Sequence, residues 1–376
     1  MSNVSDPTHF SDPVSPPVLG DVPGLIRFAA SVTETLRLGD GVYCFDRDWA
    51  TTANRGRSLR YTLMVALGFA RAEQAGYSMP RSSSSLADTV LAHEHQLTPG
   101  DRGLALWLLT RLGDSRAERL VADLATVPVA DLVPLEGMEI GWLVLGATHA
   151  RVAQLPGADR LHDRFLQVLR GRRAGRTPLY HHLGTSKGRA LLPNFATQIY
   201  SLLALAESAR ATNDTTALAD AAELADLLVS LRHADGGWPW LYHAERGVVA
   251  EAYQIYSVHQ DAMAPMAYFA LAEATGDDHY ARLGAEGLPW CFGHNELGFE
   301  FYDAQQRFAH RAIRRRGWAD RAELWVNTAA TLVGFERRLH GGTSEVNTTC
   351  RPYHQGWILE AWAGREHHGF HLGGGS

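Results

Sequence analysis

Apolar residues recur at i, i+3, i+4 and i+7 through most of the chain, the spacing of an α-helix with a buried face. The stretches between these windows contain Gly, Pro, Asp or Asn, which favour turns. The pattern predicts about twelve helices. They cover residues 23–38, 58–75, 99–113, 115–126, 136–153, 158–171, 193–211, 215–232, 259–275, 277–291, 319–340 and 354–365. The best candidate for an extended segment is 248–258.

The predicted helices are of two kinds. Some have a charged face, as in 115–126, 158–171 and 215–232, whereas others are apolar nearly all round, as in 59–70, 140–148, 198–206 and 262–272. A helix that is apolar on every face is buried on every face. Alternation of half-exposed and buried helices is what a double ring of helices requires. The sequence therefore predicts an all-α fold, an α/α toroid of about six hairpins in two concentric rings, with few short strands in its loops.

Unusual polar residues cluster at the starts of the apolar helices. The segments are 54–60, 136–139, 193–198, 256–261, 321–325 and 351–355. If the inner helices run parallel, these starts meet at one end of the ring, where free backbone N–H groups also point. We expect a polar pocket there. Its candidate substrate-binding residues are Arg57, Arg60, Glu136, Asn194, Gln198, Tyr256, Gln260 and His354.

Alternating hairpins with polar motifs at the inner-helix starts, together with a Trp-rich loop at 233–242, resemble the six-hairpin glycosidase superfamily. That superfamily consists of α/α toroids and includes glycoside hydrolases, polysaccharide lyases and sugar epimerases. The resemblance covers residues 23–365 as architecture. It implies a carbohydrate-active enzyme that acts by acid/base catalysis on a small sugar or an oligosaccharide.

Carboxylates and one histidine are the candidates for acid/base chemistry. Asp261 follows His259 at a helix start, where the helix dipole favours a charged carboxylate, so Asp261 is the candidate base or nucleophile. Glu139 and Glu323 are the candidate acids. Glycoside hydrolysis needs two carboxylates, about 5–5.5 Å apart for retention or about 6.5–9.5 Å apart for inversion. The alternative for each acidic residue is a structural role at a helix terminus or on a helix face.

Aromatic residues follow an Asp-Gly-Gly turn at 235–237. Trp238, Trp240 and Tyr242 alternate along the chain, so in an extended conformation all three side chains point to the same side. Aromatic rings often stack on the C–H faces of sugars. We expect these residues to form a wall of the pocket, and the alternative is that they fill the core beneath a loop.

The segment 290–293, Trp-Cys-Phe-Gly, is similar to a motif of lanthionine cyclases, which are also α/α toroids. In that family the cysteine binds zinc together with a later Cys-His pair, whereas here Cys350 is followed by His354 four positions on. The resemblance implies an alternative zinc site of Cys291, Cys350 and His354 in a cyclase with a peptide substrate. Otherwise the cysteines are small buried apolar residues. The Gly-Gly-Trp turn is similar to turns of terpene cyclase toroids, which would make the substrate an isoprenoid.

Composition narrows the remaining classes. The 376 residues are 45% hydrophobic and 20% charged, which is ordinary for a globular protein. The net charge of −6 argues against nucleic-acid binding, and the 3 cysteines are too few for a disulfide framework. No apolar run of about 18 residues predicts a membrane span, and no nucleotide-binding or serine-hydrolase motif occurs. We therefore expect a cytoplasmic enzyme without a cofactor.

The chain ends differ in composition from the rest. The polar, proline-rich segment 1–22 predicts a flexible leader and does not resemble a signal peptide. Residues 23–368 are expected to form a single toroid catalytic domain, followed by a flexible tail at 369–376. The oligomeric state has no sequence signal.

Overall fold

The computed structural model describes residues 19–184, 190–316, 326–327, 329–331 and 343–368, and most of them are helical. The helices are α1 (Val22–Thr35), α2 (Leu59–Gln74), α3 (Ser83–Leu91), α4 (Pro99–Arg111), α5 (Arg116–Ala125), α6 (Val129–Leu132), α7 (Gly137–Val152), α8 (Ala158–Arg170), α9 (Phe195–Thr212), α10 (Thr215–Ser230), α11 (Ala264–Thr275), α12 (Asp278–Ala285), α13 (Leu288–Cys291) and α14 (Pro352–Trp362). A π-helical turn, His259–Met263, leads directly into α11. Short 3₁₀ helices occupy Glu94–Gln96 and Glu366–His368.

Within the described residues the longer helices form a closed double ring. Helices α2, α4, α7, α9, α11 and α14 each pack against the next one, and α14 packs back against α2. Helices α1, α3, α5, α8, α10 and α12 pack around the outside of this inner ring. The predicted α/α toroid of six hairpins is therefore confirmed.

The two rings differ in how their helices bury side chains. The outer helix α8 buries one stripe, with Leu161, Phe165 and Leu169 at helical spacing. The inner helix α7 buries nearly every residue along its length. Side chains cap the inner helices: the Ser58 hydroxyl accepts the Tyr61 N–H at 3.1 Å at the start of α2. The division into buried and half-exposed helices agrees with the sequence pattern.

Glycines allow the inner helices to approach one another closely. A methyl group on Gly68 of α2 would collide with the carbonyl oxygen of Gly356 on α14. A methyl group on Gly146 of α7 would collide in the same way with the carbonyl oxygen of Gly103 on α4. The contact between the first and last inner helices, which closes the ring, therefore depends on residues without a side chain.

Short strands lie in the loops between the helices. They are β1 (Asp46–Asp48), β2 (Asn54–Arg55), β3 (Leu241–His243), β4 (Val248–Glu251), β5 (Ile255–Tyr256), β6 (Tyr302–Asp303), β7 (Phe308–Ala309), β8 (Ala312–Arg316), β9 (Thr343–Asn347) and β10 (Thr349–Cys350). Antiparallel pairing gives the sheets β10-β1-β2, β3-β4, β5-β8-β9 and β6-β7. Both β4 and β5 lie within the predicted extended segment 248–258, which confirms that prediction.

Several helix predictions need correction. Helix α3 is missing from the sequence prediction because the serines at 82–85 favour turns, although Ser82 in fact caps this helix. The predicted helix 277–291 is two helices, α12 and α13. Helix α4 belongs to the inner ring, and its polar start is absent from the predicted set. Most of the predicted helix 319–340, with its start at 321–325, lies outside the described residues.

The predicted leader and tail also lie outside the described residues, apart from 19–22. In the part of the chain that the structure describes, no helix is both long enough and apolar enough to cross a membrane.

Candidate active site

A cavity of about 250 Å³ opens where the N-terminal ends of the inner helices converge. The residues that line it are Arg60, Tyr61, Met64, Met138, Trp142, Asn194, Ala196, Tyr200, Trp240, Tyr256, His259, Met263, Arg311 and Tyr353. The polar pocket expected at this end of the ring is therefore present. Among the described residues that line it, there is no aspartate or glutamate.

Arg60 projects from the first turn of α2 and is held by two carboxylates. Its Nε donates to Asp101 at 2.5 Å, and its Nη2 donates to Glu139 at 2.8 Å. Burial lowers the pKa of Arg60, but Asp101 and Glu139 more than offset this and raise it. The guanidinium also lies over the Trp142 ring, 5.0 Å from its centroid. Arg60 is therefore a fixed donor whose charge is already neutralised.

Arg311 reaches the cavity from the loop just before β8. Its backbone is fixed on both sides, because its N–H donates to Asn347 and its carbonyl accepts from the Ser257 N–H at 2.9 Å. Its guanidinium lies over the Tyr256 ring, 5.1 Å from the centroid. Burial lowers the pKa of Arg311, while the nearby Tyr353 and other tyrosines raise it. No ion pair joins Arg311 to a carboxylate of the described residues.

His259 lies on the π-helical turn before α11, and its ring packs 4.4 Å from the Phe195 ring and 5.0 Å from the Tyr256 ring. Its Nδ1 has no hydrogen-bond partner among the described residues. Burial, with smaller effects of Arg311 and His354, lowers the pKa of His259 to about 3. The imidazole at the cavity wall is therefore neutral at ordinary pH and has a ring nitrogen available for a proton.

Asp261, the predicted base or nucleophile, lies on the same turn but does not line the cavity. Its side chain is fully buried, and its Oδ2 accepts hydrogen bonds from Tyr302 at 2.6 Å and from His354 Nε2 at 2.7 Å. Burial and Asp261 raise the pKa of Tyr302, so the phenol keeps its proton and donates it. Asp261 thus contacts His354 and Tyr302 and does not line the cavity, and its role as base or nucleophile remains a prediction from the sequence.

Glu139, one of the two predicted acids, is engaged elsewhere. Its Oε1 accepts from Arg60, and its Oε2 accepts the Glu136 N–H at 3.1 Å in the capping box of α7. The side chain is buried and does not line the cavity. The second predicted acid, Glu323, lies outside the described residues.

The aromatic wall predicted at 238–242 is only partly present. Trp240 lines the cavity, whereas Trp238 and Tyr242 are fully buried in the core. The expected alternation fails because strand β3 begins only at Leu241, and its register shifts between Leu241 and Tyr242. The alternative reading, core filling beneath a loop, is therefore correct for two of the three aromatics.

Two glutamines predicted to bind substrate instead hold loops in place. The Gln198 amide accepts the Tyr180 N–H at 2.9 Å and donates to the Tyr180 carbonyl at 2.8 Å. The Gln260 amide accepts the Trp238 N–H at 3.2 Å and donates to the Tyr256 carbonyl at 3.0 Å. Both are fully buried. Each side-chain amide both accepts a backbone N–H and donates to a backbone carbonyl, so its burial needs no ligand.

The charged residues Arg57 and Glu136 also lie outside the cavity lining. Arg57 is partly exposed and pairs with Asp40 at 2.8 Å. Glu136 is the N-cap of α7, and its Oε1 lies 3.4 Å from His182 Nε2. The side chains of Arg60, Asn194, Tyr256 and His259 are where the sequence predicts them, in the pocket.

The alternative zinc site has little support from the arrangement of its side chains. The Cys291 thiol contacts the Ser257 carbonyl at 3.7 Å, and burial and Asp261 raise its pKa well above the usual value. Burial raises the pKa of Cys350 to about 12. Zinc binds thiolates rather than thiols. Across the described ranges, no three His, Cys, Asp or Glu side chains are grouped to hold a metal ion.

Several lining residues are missing from the sequence prediction. Tyr61 and Tyr353 are neighbours of predicted residues, and their rings approach to 4.8 Å inside the cavity. Arg311 has no local signal, because pairing of distant strands brings it to the site. Met64, Trp142 and Tyr200 lie about one turn inside apolar helices, where they cannot be told from core residues. Met138 is in the first turn of α7, and Met263 is on the π-helical turn.

The fold is that of known six-hairpin α/α toroids. A sugar epimerase from a ruminal bacterium superposes with a TM-score of 0.59 at 10% identity, covering 92% of this chain and 98% of that one. An unsaturated glucuronyl hydrolase from Bacillus sp. GL1 gives 0.56 at 13% identity, covering 90% and 93%. A glycosyl hydrolase family 88 protein from Bacteroides vulgatus gives 0.54 at 9% identity, covering 92% and 98%. No family model matches the sequence, and no curated protein sequence matches it.

Proposed function

We propose that this chain is a carbohydrate-active enzyme that moves a proton at a carbon next to a sugar carbonyl, as sugar epimerases and isomerases do. The observation that carries the proposal is the neutral His259 imidazole at the wall of a cavity whose described lining has no carboxylate. The volume of about 250 Å³ is below the roughly 300–1,000 Å³ of drug-sized ligand sites and suits one sugar ring. The shared fold with a sugar epimerase and with glucuronyl hydrolases supports a carbohydrate-active enzyme, and the choice of reaction rests on the cavity lining.

The first step needs a base and a group that stabilises negative charge. His259 accepts the proton as the C–H bond breaks, and the electron pair moves into the carbon–carbon bond and onto the former carbonyl oxygen. Arg60 donates to that oxygen through Nη1, the nitrogen that Asp101 and Glu139 leave unused. Because the pKa of His259 is only about 3 in the empty site, its imidazolium is stabilised mainly by the anionic intermediate beside it.

Epimerisation also needs a second group to return a proton on the other face of the carbon. We assign this role to His354 with a proton on each ring nitrogen. Its Nε2–H donates to Asp261, and the proton on Nδ1 passes to the carbon, so that His354 ends neutral and His259 ends protonated. His354 is close enough to His259 to contribute to the lowering of its pKa. In the reverse direction the two histidines exchange roles.

The other reaction classes fit the cavity less well. Most glycoside hydrolases use two carboxylates at the scissile bond, and the described lining supplies none. A peptide cyclase of the zinc type would need thiolate ligands, whereas burial raises the pKa of the Cys291 and Cys350 thiols. A lyase would begin with the same proton removal, but it would go on to eliminate a group.

Proton exchange with solvent tests the proposal directly. The purified protein is incubated in D₂O with a panel of glucose, mannose, N-acetylglucosamine, cellobiose, glucuronate and glucose 6-phosphate, and deuterium at C2 is followed by NMR. We expect deuterium incorporation and a C2 epimer or ketose from at least one sugar. Release of a monosaccharide without exchange would instead indicate a hydrolase, and an unsaturated product would indicate a lyase.

Single variants test the two-histidine assignment. His259→Asn and His354→Asn should each retain exchange with one C2 epimer and lose exchange with the other, and the epimer retained should differ between the two variants. Arg57→Gln is the matched control, because Arg57 pairs with Asp40 outside the cavity lining and should leave all rates unchanged. Equal exchange of both epimers by either histidine variant would contradict the assignment.

A further inference from the structure

The charge balance around the cavity is uneven, and one arginine accounts for the difference. Arg60 forms ion pairs with Asp101 and Glu139. Arg57 forms an ion pair with Asp40, and the Arg351 guanidinium lies 3.5 Å from the Asp46 carboxylate. Each of these guanidiniums therefore has a carboxylate nearby, although Arg351 shares Asp46 with Arg55, which lies 2.7 Å from it. Arg311 faces tyrosine rings instead, without a carboxylate partner in the described parts of the chain.

The guanidinium of Arg311 is partly buried and its Nε has no hydrogen-bond partner among the described residues. Burial of an arginine costs hydration, and the Tyr256 hydroxyl, which hydrogen-bonds the guanidinium, is neutral and does not balance its charge. The backbone around it is fixed by β5 and β9, since Tyr256 pairs with Ala312 and Ala312 pairs with Asn347. Within the described parts of the chain, the cavity wall therefore has a positive charge that no carboxylate balances.

We propose that Arg311 binds an oxyanion on the substrate, so that the substrate is an acidic sugar, either a sugar carboxylate or a sugar phosphate. Carboxylates and phosphates both accept the paired donors of a guanidinium. The cavity has room for one sugar ring and such a group, with Tyr256, Tyr353 and Tyr61 as further donors around the anion. This inference rests on the proposed sugar-binding function, and it names the substrate class that the site prefers.

Binding without turnover separates this inference from the proposed reaction. Isothermal titration calorimetry compares glucose, glucuronate, galacturonate and glucose 6-phosphate at one ionic strength. A charge-assisted hydrogen bond in the cavity should make at least one acidic sugar bind about 10- to 100-fold more tightly than glucose. A preference confined to the uronates identifies a carboxylate, and one confined to the phosphate identifies a phosphate group.

Variants and changes of ionic strength then test whether Arg311 causes the preference for acidic sugars. Arg311→Gln should reduce the ratio of acidic to neutral affinity to about one, Arg311→Lys should restore part of it, and Arg57→Gln should leave it unchanged. If circular dichroism shows that Arg311→Gln does not fold, the wild-type protein still provides a test. Rising ionic strength should weaken the binding of acidic sugars and leave the binding of glucose unchanged.

Three outcomes would overturn the inference. They are equal affinities for acidic and neutral sugars, no binding of any acidic sugar, and a ratio of acidic to neutral affinity that is unchanged in folded Arg311→Gln. The D₂O experiment is independent of these results. Exchange with a neutral sugar alone would leave the proposed reaction standing and refute the acidic substrate. Tight binding of an acidic sugar without deuterium exchange would support the proposed role of Arg311 and contradict the proposed proton transfer.

Discussion

Asp261 and His354 lie on different inner helical segments, and their side chains meet at 2.7 Å between Oδ2 and Nε2 in a site sealed from solvent. The carboxylate fixes which ring nitrogen of His354 is engaged and holds the plane of the ring. Tyr302 donates to the same oxygen at 2.6 Å and so orients the carboxylate in turn. His354, predicted from the sequence to bind substrate, is buried like Asp261 and is not among the described residues that line the cavity, so the pair acts in the proposed reaction by holding the His354 ring in one orientation.

Asp261→Asn should therefore lower kcat by about 10- to 100-fold and change KM much less, because the amide cannot orient the His354 ring in the same way. Steady-state kinetics on the sugar found by the exchange screen measure this. Tyr302→Phe keeps the carboxylate on His354 and should have a smaller effect on kcat. A folded Asp261→Asn protein with full activity would show that the pair has only a structural role.

Acid should destabilise the fold through buried histidines, His259 and His310 among them. Burial lowers the pKa of His259 to about 3 and that of His310 to about 4. In the unfolded chain histidine titrates near about 6.5, so below that pH the unfolded state binds protons that the folded state does not. Both histidines are neutral in either state above about pH 6.5, and the free energy of unfolding falls as the pH decreases from there towards 4.

The expected loss is about 2 kcal/mol for His259 between pH 6.5 and pH 5. Urea unfolding at both pH values measures it. His259→Gln should remove this part of the pH dependence, and the exposed His279→Gln should leave the dependence as it is. A pH dependence that is the same in His259→Gln as in the wild type would mean that His259 takes up its proton in the folded protein.

The aromatic residues of the 238–242 segment should respond differently to truncation. Trp238 is fully buried and packs 5.7 Å from the Tyr268 ring, so Trp238→Ala should cost about 3–5 kcal/mol of the free energy of unfolding. Trp240 lines the cavity, so Trp240→Ala should weaken substrate binding about two- to tenfold with a smaller loss of stability. Thermal denaturation and KM distinguish the two, and the reverse pattern would place Trp238 at the substrate.

The double ring can be predicted from the sequence because most inner helices are apolar on nearly every face, which indicates burial on every face. Helix α4 shows the limit, since Asp101 and Arg111 give it charged ends although its length is buried. The site divides in the same way. His259 and Arg60 stand at helix starts and are predictable, whereas Arg311 depends on the pairing of β8 with β5 and β9. Asp261 is predicted as a functional residue, but its partner His354 is 93 residues away and only the fold brings them together.

Closure of the ring depends on the contact between Gly68 of α2 and Gly356 of α14. A methyl group on Gly68 would collide with the backbone of Gly356, which cannot move away as a side chain could. Gly68→Ala should therefore lower the free energy of unfolding by about 1–3 kcal/mol, although alanine has the higher helix propensity. Chemical denaturation measures this, with Gly39→Ala as the control because a methyl group there meets nothing within 4 Å. An unchanged or increased stability of Gly68→Ala would mean that α2 and α14 can separate at this crossing without loss.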